Sequence, residues 1–370
     1  MAVARITHRH TEELGLAWWR RQHAPLLQLQ GRLADFAEID ERMAAYIAGA
    51  SLDPDTAFAG LVARMNPTAA DFEADVFAGL CVLAVTGHGT GSRRWLEAIG
   101  NHPVLAPAAE AVAGWLGRPM ADGQSLHLAL AGGVDRRLTL DDATIEAAPR
   151  SHAAVSLRFI DAHGHVLGNF WPGAIAATAL PAQASGAQLC SFVLCHGGDA
   201  TRVRTALEQA IAAGVEPTAV FLAAAASGQA GLLPWLLQAA AMPEMALLAL
   251  DALRRLSGFD ALEAVDLAWA TPSAIKRAQF KAAHGAARDW FDRHGADLPD
   301  VPCLLGRPRT GANVASVLRH GTQAERELAA MLIVANGGAC FPVHARVPVQ
   351  QAVLARYVPI SEPTLSPEAA

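Results

Sequence analysis

A few groups of residues in this chain have types and spacings that could do chemistry, and each also has a plainer use. Gly87-His88-Gly89-Thr90-Gly91-Ser92 precedes a helical pattern whose free N–H groups could hold a phosphate. It lacks the Lys-Ser/Thr ending of a phosphate loop and follows a helix, not a strand, so an interhelical turn is its expected role. His163, His165, Cys190, Cys195 and His196 are metal-ligand types, but their gaps match no compact zinc spacing. The expected reading is core cysteines and turn histidines. Asp141-Asp142 after Thr139 reads as a helix N-cap with first-turn charge, and Asp260, Glu263 and Asp266, at helical spacing, as a solvated face. No Gly-x-Ser-x-Gly, His-Glu-x-x-His or Cys-x-x-Cys occurs. The residues therefore point to no catalytic, cofactor-binding or metal-ligating set.

The surrounding elements read as helices. In residues 11–49, Leu33, Phe36, Ala37, Met43, Ala44 and Ile47 recur at i, i+3, i+4, i+7 spacing, and Gly49 is a candidate C-cap. Short helices follow over Thr56–Met65, Thr68–Val85, Ser92–Ile99, Val104–Leu116 and Gln124–Ala131. Further helices are expected over Ser151–Ala162, around Gly173–Thr178 and Gln188–Cys195, and over Thr201–Ala213, Thr218–Ala226, Leu232–Ala241 and Met245–Ser257. Connections of a few residues suit antiparallel helical neighbours. Residues 258–312 read as a linker with a docking helix ending near Trp290–His294, and Asn313–His320 and Gln323–Asn336 as a closing hairpin.

Composition agrees. Charged residues are 17% of the chain and hydrophobic residues 52%, so much of each helix must face protein. Alanine and leucine dominate over β-branched and aromatic residues, which favours helices. A net charge of −6 argues against nucleic-acid or anionic-membrane partners. The uncharged stretches Val166–Gly198 and Pro217–Pro243 are long enough to span a bilayer, but proline and glycine interrupt both, and pairs of short buried helices are expected instead. The N-terminus has no apolar run of signal-peptide type. Five scattered cysteines read as reduced, buried thiols in a soluble, cytoplasmic protein.

Three stretches carry a resemblance. Leu33 through Gly49, with Asp40-Glu41-Arg42 at its centre, is similar to an N-terminal "L-D-E-R" signature, with Tyr46 where histidine is usual. Leu233-Pro234-Trp235-Leu236-Leu237, followed by Leu256-Ser257-Gly258-Phe259-Asp260, is similar to a repeat ending "I-T-G-x-D". Cys303-Leu304-Leu305-Gly306-Arg307-Pro308, with Gly321-Thr322 through Arg326, is similar to a C-terminal "LLG-x-P … G-T-x-x-x-R" region. Together they resemble a proteobacterial HEAT-repeat-like family associated with type VI secretion gene clusters. The resemblance names no catalytic residue, and it implies that Asp40-Glu41-Arg42 caps or bridges helices.

The expected fold is all-α, an α-solenoid of stacked antiparallel helical hairpins of HEAT/armadillo type. A helical N-terminal cap is expected over residues 1–52, a repeat array over 53–257, a C-terminal helical unit over 258–358 and a disordered tail over 359–370. The expected function is binding a protein partner, a secreted toxin effector or a secretion spike component, as immunity protein or chaperone/adaptor. The net charge fits a basic nuclease partner. A small-molecule-binding or modifying helical-repeat enzyme, and a structural scaffold, are the alternatives. Trp171, Trp290 and the C-terminal arginines Arg307, Arg309, Arg319 and Arg326, expected to be exposed, are candidate partner contacts, since Trp and Arg are enriched at hot spots.

Overall fold

The computed structural model describes residues 2–69, 71–87, 89–116, 157–160, 166–170, 189–190, 193–194, 199–267, 273–335 and 341–356. The expected helices over Gln124–Ala131 and Gly173–Thr178, and the expected tail, lie outside them. The chain is mostly helical. In chain order its longer helices are α1 (Ala2–His23), α2 (Pro25–Gln30), α3 (Leu33–Ala50), α4 (Pro54–Arg64), α5 (Phe72–Thr86), α6 (Thr90–Ile99), α7 (Leu105–Leu116), α8 (Ala200–Ala212), α9 (Pro217–Ser227), α10 (Leu233–Ala240), α11 (Ala246–Ser257), α12 (Ser273–His294), α13 (Gly311–His320), α14 (Gln323–Ala335) and α15 (Val347–Arg356). Two short antiparallel strand pairs complete it: β1 (Leu157–Ile160) with β2 (Val166–Phe170), and β3 (Cys303–Leu304) with β4 (Arg307–Pro308).

The first pair corrects the helix expected over Ser151–Ala162. Leu157 pairs with Phe170 and Arg158 with Asn169. The apolar/polar alternation of Leu157-Arg158-Phe159 and the glycine between the two strands suit a hairpin at least as well as a helix, and a run this short carries no decisive period. The uncharged stretch from Val166 thus opens as a strand rather than a buried helix. The second uncharged stretch is α9 and α10 joined through a 3-10 turn at Ala230–Leu232. Among the described residues no helix is long and apolar enough to cross a membrane.

Two compact units form, each discontinuous in sequence: Met1–Ala24, Leu33–Ala154 and Pro342–Ala352 in one, Pro25–Arg32, Val155–Phe341 and Val353–Ala370 in the other. In the first, α1 packs against α3, α4 and α5, and α4 packs on α6. Trp18 stacks on Phe77 with ring centroids 4.5 Å apart, inside a core that also holds Met43, Phe58, Trp95 and Trp115. Glycines mark the close crossings. A Cβ on Gly49 would sit 2.5 Å from the His10 ring, so Gly49 is a contact between α3 and α1, not the cap expected of it. At Gly79 a Cβ would meet Trp95 at 2.2 Å.

Asp40 organises this unit. It is buried on α3 and accepts from Arg21 Nε of α1 at 2.7 Å, Trp115 Nε1 of α7 at 2.8 Å and the Val347 amide of α15 at 2.8 Å. Arg21 also donates to the Ala345 carbonyl at 3.0 Å and lies over the Phe36 ring. A buried charge needs both its counter-charge and hydrogen bonds to its remaining atoms, and here both are supplied by segments far apart in sequence.

In the second unit α11 is buried nearly all round and packs against α9, α10, α12 and β3. The turn between β3 and β4 has two left-handed residues, Leu305 (φ 53°) and Gly306 (φ 73°), as a two-residue hairpin of the I′ kind requires. Their amides donate to the Arg255 and Leu256 carbonyls at 2.8 and 2.9 Å, satisfying groups that the end of α11 leaves free. A Cβ on Gly306 would lie 2.3 Å from the Ser257 carbonyl oxygen. The Leu-Leu-Gly-x-Pro stretch is therefore a helix-capping device.

Replacing Asp40 by alanine strands the buried Arg21 guanidinium. Removing one partner of a buried pair costs about 3–5 kcal/mol. Asp40→Ala is expected to lower the denaturant midpoint of the first unit by that equivalent, read by the fluorescence of Trp18, Trp95 and Trp115.

Candidate functional site

At the α5–α6 turn, Ser92 Oγ accepts from the Gly89 amide at 2.8 Å, and the Gly91 amide donates to Asp55 Oδ1 at 2.9 Å. A side-chain carboxylate already occupies the end of this helix, so the turn is structural, as expected. Cys81, Cys190 and Cys303 are buried free thiols; burial pushes Cys81 well up and Cys190 up to about 12. His163, His165, Cys195, His196, Asp141 and Asp142 lie outside the described residues. Residues 258–267 form turns rather than the helix that the spacing of Asp260, Glu263 and Asp266 suggested. Asp260 accepts from the Leu262 amide and faces Arg254 Nη1 at 3.6 Å, while Glu263 and Asp266 are exposed.

The densest group of charges is internal to the second unit. Arg254, buried on α11, donates through Nη2 to Asp251 Oδ1 at 2.8 Å and to the Leu29 carbonyl of α2 at 2.9 Å. Its Nε lies 3.4 Å from Glu325 Oε1 of α14. Glu325 in turn accepts from the Thr322 amide at 2.8 Å, the return bond of a capping box at the start of α14. Arg255 pairs with Asp251. Asp251 and Glu325 are thus engaged by guanidinium and amide donors, and what the cluster does is join α2, α11 and α14.

Glu327 is the outlier in this group. Part of the residue reaches solvent, but its carboxylate is held away from water, and this desolvation pushes it up to about 7. Arg255, Arg326 and a hydrogen bond from Gln323 Nε2 at 3.1 Å oppose the shift; Asp251 adds to it.

The candidate contact residues divide sharply. Arg307 and Arg319 are exposed. Arg326 is not: it is fully buried, donating to the Leu318 carbonyl of α13 at 2.9 Å and to Gln323 Oε1 at 3.1 Å. Arg309 is also turned inward, donating to the Cys303 and Ala225 carbonyls at 3.0 and 3.1 Å, and burial lowers it to about 10. Both corrections have one cause. An arginine beside a helix end can satisfy its fork on free carbonyls, and spacing alone does not separate that use from solvent exposure. Trp290 is half-buried and stacks on Phe259 at 5.2 Å. Trp171 lies outside the described residues.

The surface that does show interface chemistry is the outer face of α1. Ile6, Leu16 and Trp19 are 55, 44 and 43% exposed, on the side facing away from α3, α4 and α5. Arg5, Arg9 and Arg20 are exposed on the same side. The sequence does carry a signal for it: Leu14 and Trp18 make the buried row, so Leu16 falls opposite it on a 3.6-residue period and Trp19 on its flank. The chain matches no protein-family model, no curated protein and no solved structure.

Because the folded pKa of Glu327 lies above its ordinary value, the unfolded chain loses that proton first as pH rises. Stability is then expected to fall between about pH 4.5 and 7 and to level off above. Glu327→Gln is expected to remove that slope and to be more stable than the parent at neutral pH, by thermal unfolding at pH 5 and pH 7.5.

Proposed function

We propose that this chain is a protein-binding accessory of a type VI secretion effector module. It grips a toxic effector or its carrier, either as an immunity protein or as a chaperone/adaptor. The observation that carries the binding part is the outer face of α1. Exposed tryptophan and arginine are of the types enriched where a partner gains most binding energy, and Leu16 and Ile6 add apolar area, on a face that also carries Glu12 and the Arg9–Glu13 pair. The secretion context rests on the resemblance of the Asp40, Asp260 and Gly321–Arg326 stretches to that family. Stacked helical hairpins of HEAT type belong to the same reading, with α10–α11 and α13–α14 as neighbouring packed helices.

The two roles differ in outcome. An immunity protein covers the toxin's active site; an adaptor leaves it working and holds it for loading.

Tagged chain, expressed with the neighbouring secretion genes intact, is expected to recover one toxin domain at equal stoichiometry. Trp19→Ala with Leu16→Ser is expected to weaken that recovery about tenfold or more, the scale of a hot-spot loss. Neutralised toxicity identifies an immunity protein, and co-recovery of spike components without neutralisation identifies an adaptor. Undiminished recovery by the variant removes α1 as the docking face. Recovery of neither toxin nor spike component ends the secretion assignment.

A further inference from the structure

Two helices carry outward rows that complement each other. On α3 the buried residues Phe36, Asp40, Met43, Ile47 and Ala50 repeat at i, i+4, i+7, i+11, i+14. Two residues earlier, roughly 200° around the helix, runs a row with the same spacing: Ala34, Glu38, Glu41, Ala45 and Ala48, all exposed. On α12 the inward row holds Phe280, Ala283, Ala287 and Trp290. Two residues earlier run Ala274, Ala278, Lys281, Gly285 and Arg288, exposed apart from the half-covered Gly285. A Cβ built on Gly285 has nothing within 4 Å.

The charges on the two rows are opposite. From Ser273 through Arg288, α12 carries Lys276, Arg277, Lys281 and Arg288 and no Asp or Glu, in a chain of net charge −6. None of these cations forms an ion pair among the described residues, whereas Arg21, Arg42, Arg64, Arg204, Arg254 and Arg255 all do. Glu38 is held by Arg42 one turn along α3, and Glu41 has no ion-pair partner among the described residues.

We propose that α12 docks antiparallel on α3 of a second copy of this chain. In antiparallel register Ala34 faces Arg288, Glu38 faces Gly285, Glu41 faces Lys281, Ala45 faces Ala278 and Ala48 faces Ala274. Ala45 and Ala48 then meet Ala278 and Ala274, which lets the helices approach at that end to about 8 Å, the short end of ordinary packing distances. Glu41 meets an ammonium, and Glu38 meets a gap flanked by Lys281 and Arg288. Parallel register keeps Glu41 against Lys281 but sets Glu38 against Ala278, away from Arg288, which then lies beside Ala48; only the antiparallel register places Glu38 between two cations. A second copy supplies charge, spacing and side-chain size together, which is why it is chosen over an unrelated acidic partner. The α1 face is a separate surface, and this assembly does not depend on it.

The chain's only lysines are Lys276 and Lys281, so an amine-directed reagent reports on α12 and the N-terminal amine alone. Equal amounts of ¹⁴N- and ¹⁵N-labelled chain are mixed, joined by a zero-length carbodiimide and read by mass spectrometry. Mixed-isotope peptides linking Lys281 to Glu41 are expected. In sedimentation velocity, Glu41→Lys and Lys281→Glu are each expected to weaken self-association about tenfold, and the double exchange to restore it. These side chains are exposed, and unchanged unfolding midpoints confirm that the variants fold. A monomer at concentrations up to about 1 mM, lysines linked only to carboxylates outside α3, or a double exchange that fails to restore association would each overturn the proposal.

Discussion

A guanidinium taken out of water is offset only by oxygens that accept its hydrogen bonds, and in each unit one buried arginine–carboxylate pair joins several helices. In the first unit Arg21 and Asp40 sit between α1, α3, α7 and the segment that opens α15. In the second, Arg254 ties α2, α11 and α14 through Leu29, Asp251, Thr322 and Glu325. Helices rich in alanine present shallow ridges that fit one another in many offsets, so apolar burial alone selects weakly among registers. A buried ion pair tolerates far less displacement, because its desolvation is offset only by donors in the right places. In these units the polar contacts therefore define which helices meet, and the alanine and leucine surfaces supply the bulk of the burial.

The same logic explains three stretches singled out in the sequence. Asp40 is the acceptor at the centre of the first unit. Asp260 faces Arg254, Gly306 lets the hairpin turn reach the end of α11, and Thr322, Glu325 and Arg326 cap α14 and the end of α13. These residues hold helix ends and helix crossings. Function is to be sought on surfaces the fold leaves over, and the α1 face and the outer rows of α3 and α12 are of that kind. Arg42, two residues after Asp40, shows how local the distinction is: one residue is buried among donors, the other pairs with Glu38 in solvent.

Glu327 shows a cost of this construction. With Arg254 and Arg255 already engaged by Asp251 and Glu325, a further carboxylate in the group gains too little from its neighbours to offset its own desolvation. Its proton is therefore retained to about neutral pH.

Sequence by itself determined the helical elements of α3 to α11, α13 and α14 to within a few residues, and only the end of α12, because apolar period and turn glycines act over a single helix. The structure adds the caps: Asp53, Asp199 and Thr310 each accept from first-turn amides. The expectation that Asp40-Glu41-Arg42 caps or bridges helices holds for Asp40 and not for the exposed Glu41 and Arg42, and the glycine-rich loop is the turn expected. The hairpin at β1–β2 escaped sequence reading because a four-residue run carries no decisive period. Arg309 and Arg326 escaped it because free helix-end carbonyls lie near in space but not at any fixed spacing. Only the tertiary structure decided that Pro25–Arg32 joins residues beyond 155 while Pro342–Ala352 joins α1 and α3. Contacts such as Val347 with Asp40, or Arg254 with Leu29, link residues hundreds of positions apart. No local preference of the chain encodes them; they exist because buried charges had to be satisfied wherever donors could be brought.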